Sequence, residues 1–191
     1  MIAFSQSRFL EMMRRVVPVD EATVSLLAGQ LEECRFRKKE MILRGDAFCR
    51  YAWFIEKGLI RHFWLEDGKE IVTSFTIEGG LVFSMDELYY GLPSQEYAQA
   101  AEPVEAWRIA LPALENLFCN NLQLCNWGRV IHQNEYRRLH RSHKERLTLP
   151  AESRYKMFRE QFPEISSRAS LGDIASYLGM DPATLSRIRA L

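Results

Sequence analysis

The sequence predicts an α+β fold: short strands forming a sandwich, barrel or roll, with helices before and after them. Three observations carry this reading. Between Cys34 and Ile109, short apolar or alternating runs are separated by turn residues. On both sides of that region apolar residues recur at intervals of three and four. The last twenty-two residues have the pattern of two short helices joined by a tight turn.

The first helical stretch covers residues 4–31. Phe9, Met12, Met13 and Val16 form one apolar face, and Val24, Leu27 and Leu31 form another. Val17-Pro18-Val19-Asp20 separates the two, with Asp20 suited to cap the second helix. The predicted strands contain Met41-Ile42-Leu43, Ala52-Trp53-Phe54-Ile55, Leu59-Ile60-Arg61-His62-Phe63-Trp64, Ile71-Val72-Thr73-Ser74-Phe75, Leu81-Val82-Phe83 and Val104-Glu105-Ala106-Trp107-Arg108-Ile109. Asp67-Gly68 lies between two of these runs and is a strong hairpin signal. From Pro112 to about Leu147 a single long helix is expected, with Leu114, Leu117, Leu124, Trp127, Ile131 and Leu139 on its apolar side. At 1.5 Å per residue it would extend about 50 Å, longer than one small β domain needs, so part of it is expected to pair with a second subunit. Gly128 fits such a helix only where it allows close approach. Leu149-Pro150 ends it, and a shorter helix over Ala151–Phe162 follows, stopped by Pro163.

Composition narrows the function. Of 191 residues, 47% are apolar and 26% charged, as in folded globular proteins. The 25 basic and 25 acidic side chains cancel, which excludes a uniformly polyanion-coating protein. They are unevenly distributed. Residues 1–127 hold 13 basic and 18 acidic side chains, a balance of −5, and residues 128–191 hold 12 and 7, a balance of +5. Only the second part suits nucleic acid. No apolar run is long enough to span a membrane, and the first fifteen residues lack the apolar core of an export signal. Cys34, Cys49, Cys119 and Cys125 have no C-x-x-C spacing, so they are expected to be reduced thiols of a cytoplasmic protein.

Residues 170–191 carry the functional signal. Ile174, Ala175 and Leu178 face inward from a first helix, and small Ala175 lets a second helix approach. Gly179 stands where the first helix must end in a left-handed conformation. Asp181-Pro182 starts the second helix with a capping residue and proline at the first turn. Leu185 and Ile188 pack inward, leaving Pro182, Ala183, Thr184, Ser186, Arg187 and Arg189 outward. Short side chains followed by arginines suit entry into the major groove of double-stranded DNA, and Arg187 has the donors to bind guanine or phosphate.

Across nearly its whole length the chain resembles the Crp/Fnr superfamily of bacterial transcription regulators, and most closely the branch common in Bacteroidetes. The resemblance is carried by residues 54–61 (Phe-Ile-Glu-Lys-Gly-Leu-Ile-Arg), Asp67-Gly68-Lys69-Glu70, residues 147–155 and, most specifically, residues 174–189. It implies a double-stranded β-roll of the cyclic-nucleotide-binding type with N-terminal helices over 1–112, a dimerisation helix over 113–147 and a helix-turn-helix domain over 148–191. It also implies a homodimer on an inverted-repeat operator, with RNA polymerase and a small-molecule effector as further partners. Arg187 matches a base- or phosphate-contacting arginine. Pro182 and Ala183 stand where better-known relatives place an arginine and a glutamate, so the operator sequence is not transferable. Relatives can build a wing beyond this helix, and none is expected here after Leu191.

In nucleotide-binding relatives a carboxylate meets the ribose and an arginine neutralises the cyclic phosphate. Asp86-Glu87-Leu88 resembles the first half of that cassette, with Glu87 as the ribose ligand. The second half falls near Gln95–Ala100, without arginine, and no Lys or Arg occurs between Glu70 and Trp107. A desolvated phosphate there would be unfavourable by several kcal/mol, so cyclic AMP or GMP is not expected as the effector. Glu87, Leu88, Tyr89, Tyr97 and Gln99 remain as the effector-pocket residues, with an uncharged or cationic ligand suiting their aromatic members.

Other chemistries are less favoured. No cofactor or metal site is expected, because the cysteine arrangement of iron–sulfur sensors is missing and His132, His140 and His143 lack a completing ligand set. No catalytic motif of the hydrolase, nucleotide-binding-loop or zinc-protease type occurs, so the protein is not expected to be an enzyme. Two alternatives remain: a cupin-like metal enzyme, which would need histidines besides His62 in the β region, and an effector-sensing dimer without DNA binding.

Overall fold

The computed structural model describes residues 3–190. A single 3-10 turn (Phe4–Gln6) leads into α1 (Arg8–Val16) and α2 (Glu21–Ala28). Asp20 caps α2 by accepting from the Thr23 amide at 2.8 Å. Eight strands follow: β1 (Glu32–Phe36), β2 (Met41–Leu43), β3 (Tyr51–Lys57), β4 (Ile60–Glu66), β5 (Lys69–Thr76), β6 (Leu81–Val82), β7 (Tyr97–Ala100) and β8 (Val104–Ala110), with α3 (Met85–Tyr90) between β6 and β7. The chain closes with α4 (Leu111–Asn120), α5 (Leu122–Thr148), α6 (Ala151–Gln161), α7 (Pro163–Arg168), α8 (Leu171–Tyr177) and α9 (Pro182–Ala190).

The strands form two four-stranded antiparallel sheets in a jelly-roll-like arrangement, ordered β1-β8-β3-β6 and β2-β7-β4-β5. Asp67 and Gly68, at φ of 49° and 75°, make the tight turn between β4 and β5. Positive φ at both positions gives the twist such hairpins require.

Alternation along the strands generates three cores. Ile55, Ile60, Ala98, Ala100 and Ala106 point between the sheets. On the outer face of the first sheet, Ala52, Phe54, Trp107 and Ile109 meet α1, α2, α4 and the start of α5. Phe9, Phe54 and Trp127 form an aromatic knot there, with ring centroids 4.5–6.1 Å apart. On the outer face of the second sheet, Phe63, Val72 and Phe75 meet the C-terminal helices.

Two differences from expectation have clear causes. The helix expected from Pro112 is broken at Asn121, whose φ and ψ are −130° and 112° and whose side chain caps α5 by accepting from the Leu124 amide. The long helix therefore starts at Leu122, and α4 folds back against it. Gly128 permits that contact: a Cβ there would stand 3.3 Å from the Phe118 ring. Strands β1 and β7 fall outside the expected runs, because Glu32-Glu33-Cys34-Arg35 and Tyr97-Ala98-Gln99-Ala100 lack continuous β-branched residues. No helix among the described residues is long and apolar enough to cross a membrane.

Candidate functional site

Helices α8 and α9 form a compact pair. Ser170 caps α8 by accepting from the Asp173 amide at 3.1 Å. Its C-terminus closes through Gly179 at φ 64°, with the Met180 amide donating to the Ala175 carbonyl and the Gly179 amide to Ser176, both at 3.0 Å. This reciprocal pair is the glycine-dependent closure expected at that position. Ile174, Ala175, Leu178 and Leu185 are buried, and Ile188 is half-buried against them.

On the opposite side of α9, Pro182, Ala183, Ser186, Arg187 and Arg189 are exposed and Thr184 is half-buried. Arg187 makes only long contacts, at 3.4 Å, to its own helix at Ala183 and Thr184. Among the described residues, no carboxylate pairs with Arg187 or Arg189. Leu191, the last residue of the motif expected from sequence, lies outside the described residues.

Besides the apolar core, arginines tie the C-terminal helices to the rest of the fold. Arg61 on β4 contacts Glu70 at 2.6 Å and Asp173 of α8 at 3.1 Å, and donates to Gln99 at 2.7 and 2.9 Å. Burial opposes its charge, but the two carboxylates outweigh that and raise its pKa. Arg168 at the end of α7 bridges Glu78 (2.8 Å) and Glu102 (2.5 Å). Arg138 on α5 donates to the Tyr177 hydroxyl at 3.2 Å. The Ser176 hydroxyl accepts from the Val72 amide at 2.9 Å, covering part of the exposed edge of β5.

The five residues expected to line an effector pocket have different surroundings. Glu87 and Leu88 border a shallow cleft with Phe48, Arg50 and Tyr51. The Glu87 carboxylate accepts from the Cys49 and Arg50 amides at 2.7 and 2.8 Å and from the Cys49 thiol at 3.0 Å. It pins the entry to β3, and its hydrogen-bonding capacity is largely spent within the chain. Tyr89 turns toward α5, where its hydroxyl lies 3.1 Å from His132. Tyr97 and Gln99 face the C-terminal helices, Tyr97 stacked on Phe63 and Gln99 bound to Arg61. Strand parity is the reason: Ala98 and Ala100 point inward, so their neighbours cannot. The basic residue beside Glu87 is Arg50, from outside the arginine-free stretch.

Inside the roll, His62 contacts Thr76 at 2.9 Å and Glu96 at 3.3 Å, and Thr73 donates to Glu96 at 2.8 Å. Burial pushes the Glu96 pKa up, but the His62 and Thr73 contacts prevail and hold it below the usual carboxylate range. His132 and His140 are engaged with the Gly128 carbonyl and the Tyr136 ring. The sequence does not mark Arg61, Arg138 or Arg168 as docking residues, because their links to Asp173, Tyr177, Glu78 and Glu102 span 39 to 112 positions.

Comparison with known proteins agrees with this architecture. Residues 33–121 match the cyclic nucleotide-binding domain family. The whole fold is similar to the c-di-GMP responsive global regulator CLP of Xanthomonas campestris (TM-score 0.74, 14% identity, 90% of each chain covered). It is also similar to FixK2 of Bradyrhizobium japonicum (TM-score 0.72, 20% identity, 84% of this chain and 83% of that one). A third similar structure, from Eubacterium rectale, is described as a transcriptional regulator of the Crp/Fnr family (TM-score 0.70, 15% identity, 89% and 82% covered). At these identities the likeness is one of fold. No curated protein matches the sequence.

Proposed function

We propose that this chain is a homodimeric transcription regulator of the Crp/Fnr type, of the branch common in Bacteroidetes, that reads double-stranded DNA with α9. The observation that carries the reading is the two-sidedness of that helix: Leu185 is fully buried against α8, while Arg187 and Arg189 project outward without a carboxylate partner among the described residues. In this reading Pro182 and Ala183 allow close approach, Thr184 and Ser186 supply hydrogen bonds, and the arginines contact bases or phosphates. The fold likeness to regulators supports it, as does the basic balance of residues 128–191.

Dimerisation through α5 is supported by its second half. Tyr136, Leu139 and Leu147 are 72%, 49% and 72% exposed, and with His143 they follow helical spacing along one side. Two α9 helices related by a two-fold axis would sit about one DNA turn, roughly 34 Å, apart on an inverted repeat. RNA polymerase is the partner such a regulator would act on. A small-molecule effector would be neither cyclic AMP nor cyclic GMP, because Glu87 is already occupied by backbone amides.

The test is selection of bound sequences from random duplexes, followed by affinity measurements with Arg187→Ala. An inverted repeat should emerge, and the variant should lose about 1–3 kcal/mol at one base position. A uniform loss over all duplexes would make Arg187 a phosphate contact. A stable dimer indifferent to every duplex would favour the alternative of an effector-sensing module without DNA binding.

A further inference from the structure

A narrow cleft opens where α5, α6 and the α8–α9 turn meet, lined by Arg138, Arg146, Arg154, Glu145 and Tyr177 among others. Two of these groups are already committed. Arg138 is bound to Glu135 and Tyr177, and Glu145 accepts from Arg141 at 2.8 Å and from Gln161 at 3.4 Å. Arg146 and Arg154 are not: among the described residues neither has an ion pair or hydrogen bond for its guanidinium. The Arg154 Nε is buried and has no acceptor. Both guanidiniums flank Gly179, where a Cβ would lie 3.7 Å from Arg146 Nη2 and from Arg154 Nη1.

Two uncompensated cations beside each other repel, and a buried N–H without an acceptor is unfavourable. Neither guanidinium caps α8: the Ala175 and Ser176 carbonyls accept from the Met180 and Gly179 amides, and among the described residues no helix carbonyl accepts from Arg146 or Arg154. A carboxylate carries a single negative charge, too little to offset two guanidiniums. A phosphoryl group has three or more oxygens and accepts from two forks at once.

We propose that Arg146 and Arg154 form a binding site for one phosphoryl group, either free in a small phosphorylated ligand or fixed in a DNA backbone. Bound there, the anion links the long helix, α6 and the turn that orients α9, and so fixes the reading helix relative to the dimer axis. Only the DNA source rests on the reading of α9 given above; the free-anion source does not.

The experiment uses the full chain and titrates inorganic phosphate against chloride at constant ionic strength, by calorimetry. Wild type is compared with Arg146→Gln, Arg154→Gln and Arg154→Lys, each checked by far-ultraviolet circular dichroism. Arg146 is exposed, so its variant keeps the test valid if the Arg154 variants fail to fold. In parallel, the salt dependence of duplex binding is measured for the same proteins. Phosphate binding weakened about tenfold or more in either Gln variant supports a free-anion site. Undetectable phosphate binding, with a duplex salt slope shallower by about one in each Gln variant, supports the DNA backbone as the source. Phosphate affinity and duplex salt slope both unchanged in the variants overturn the proposal even where duplex binding is intact. Absence of duplex binding by wild type would overturn the reading of α9 and leave the phosphate titration to decide this site.

Discussion

The Arg61 guanidinium lies 3.1 Å from the Asp173 carboxylate, joining strand β4 to helix α8 across 112 positions of sequence. Both side chains are largely shielded, at 14% and 18% exposure. Removing one partner therefore leaves a poorly hydrated charge. Asp173→Ala should destabilise the fold by about 1–3 kcal/mol, softened by the Glu70 and Gln99 contacts that Arg61 keeps. Urea denaturation followed by Trp fluorescence checks this, and a midpoint equal to wild type would contradict it.

The Glu78–Arg168 contact should make stability acid-sensitive. Burial alone would raise the Glu78 pKa, but hydrogen bonds from Arg168 and the Gly58 amide overcome it and bring the value down to about 2, from an ordinary 4.5. A carboxylate with a depressed folded pKa contributes fully above its unfolded value, and that contribution disappears as pH falls through the folded value. The stabilisation should thus be intact above about pH 4.5 and decline toward pH 2. Glu78→Gln should flatten the stability profile in that window while lowering stability at neutral pH. Denaturation midpoints measured at pH 6, 4 and 3 decide it, parallel profiles counting against the contact.

Thiol reactivity should divide into two classes. Cys119 and Cys125 are exposed. Burial, and after it the Glu87 carboxylate, pushes the Cys49 thiol up to about 12, and burial raises Cys34 to about 11. Only the thiolate is nucleophilic, so at pH 8 an aromatic disulfide reagent should modify Cys119 and Cys125 well before the other two. Mass spectrometry of partially labelled protein identifies the sites. Early labelling of Cys49 would mean that Glu87 does not hold it as described.

Leu139→Glu should separate the proposed dimer without unfolding the subunit, because Leu139 is half exposed in the single chain. Sedimentation should shift from dimer to monomer, and affinity for a two-site duplex should fall at least tenfold. A dimeric variant would place the subunit contact elsewhere.

Much of this architecture was legible locally. The Asp67-Gly68 hairpin, the Asp20 cap, and the inward Ile174, Ala175 and Leu185 each follow from residues a few positions apart. The break at Asn121 was not, since the leucine spacing of α4 and α5 runs through it and only the capping geometry separates them. The surroundings of Tyr97 and Gln99 were not legible for a related reason: both are near Glu87 in sequence, but strand parity turns them toward Phe63 and Arg61. The docking arginines depend on contacts spanning up to 112 positions, which no local pattern encodes.

Trp127 fixes the front of α5 among Phe9, Phe54 and Phe118, whereas the helix beyond Gln133 is covered mainly on the side facing α6 and α8. Mechanically this is a lever with its fulcrum in the aromatic knot. Thr148 lies about 32 Å along the axis from Trp127, so a tilt of about 5° at the knot would swing the far end by roughly 3 Å. A modest rearrangement in the N-terminal helices would therefore reach the far end of α5 enlarged, with no change needed inside the roll itself.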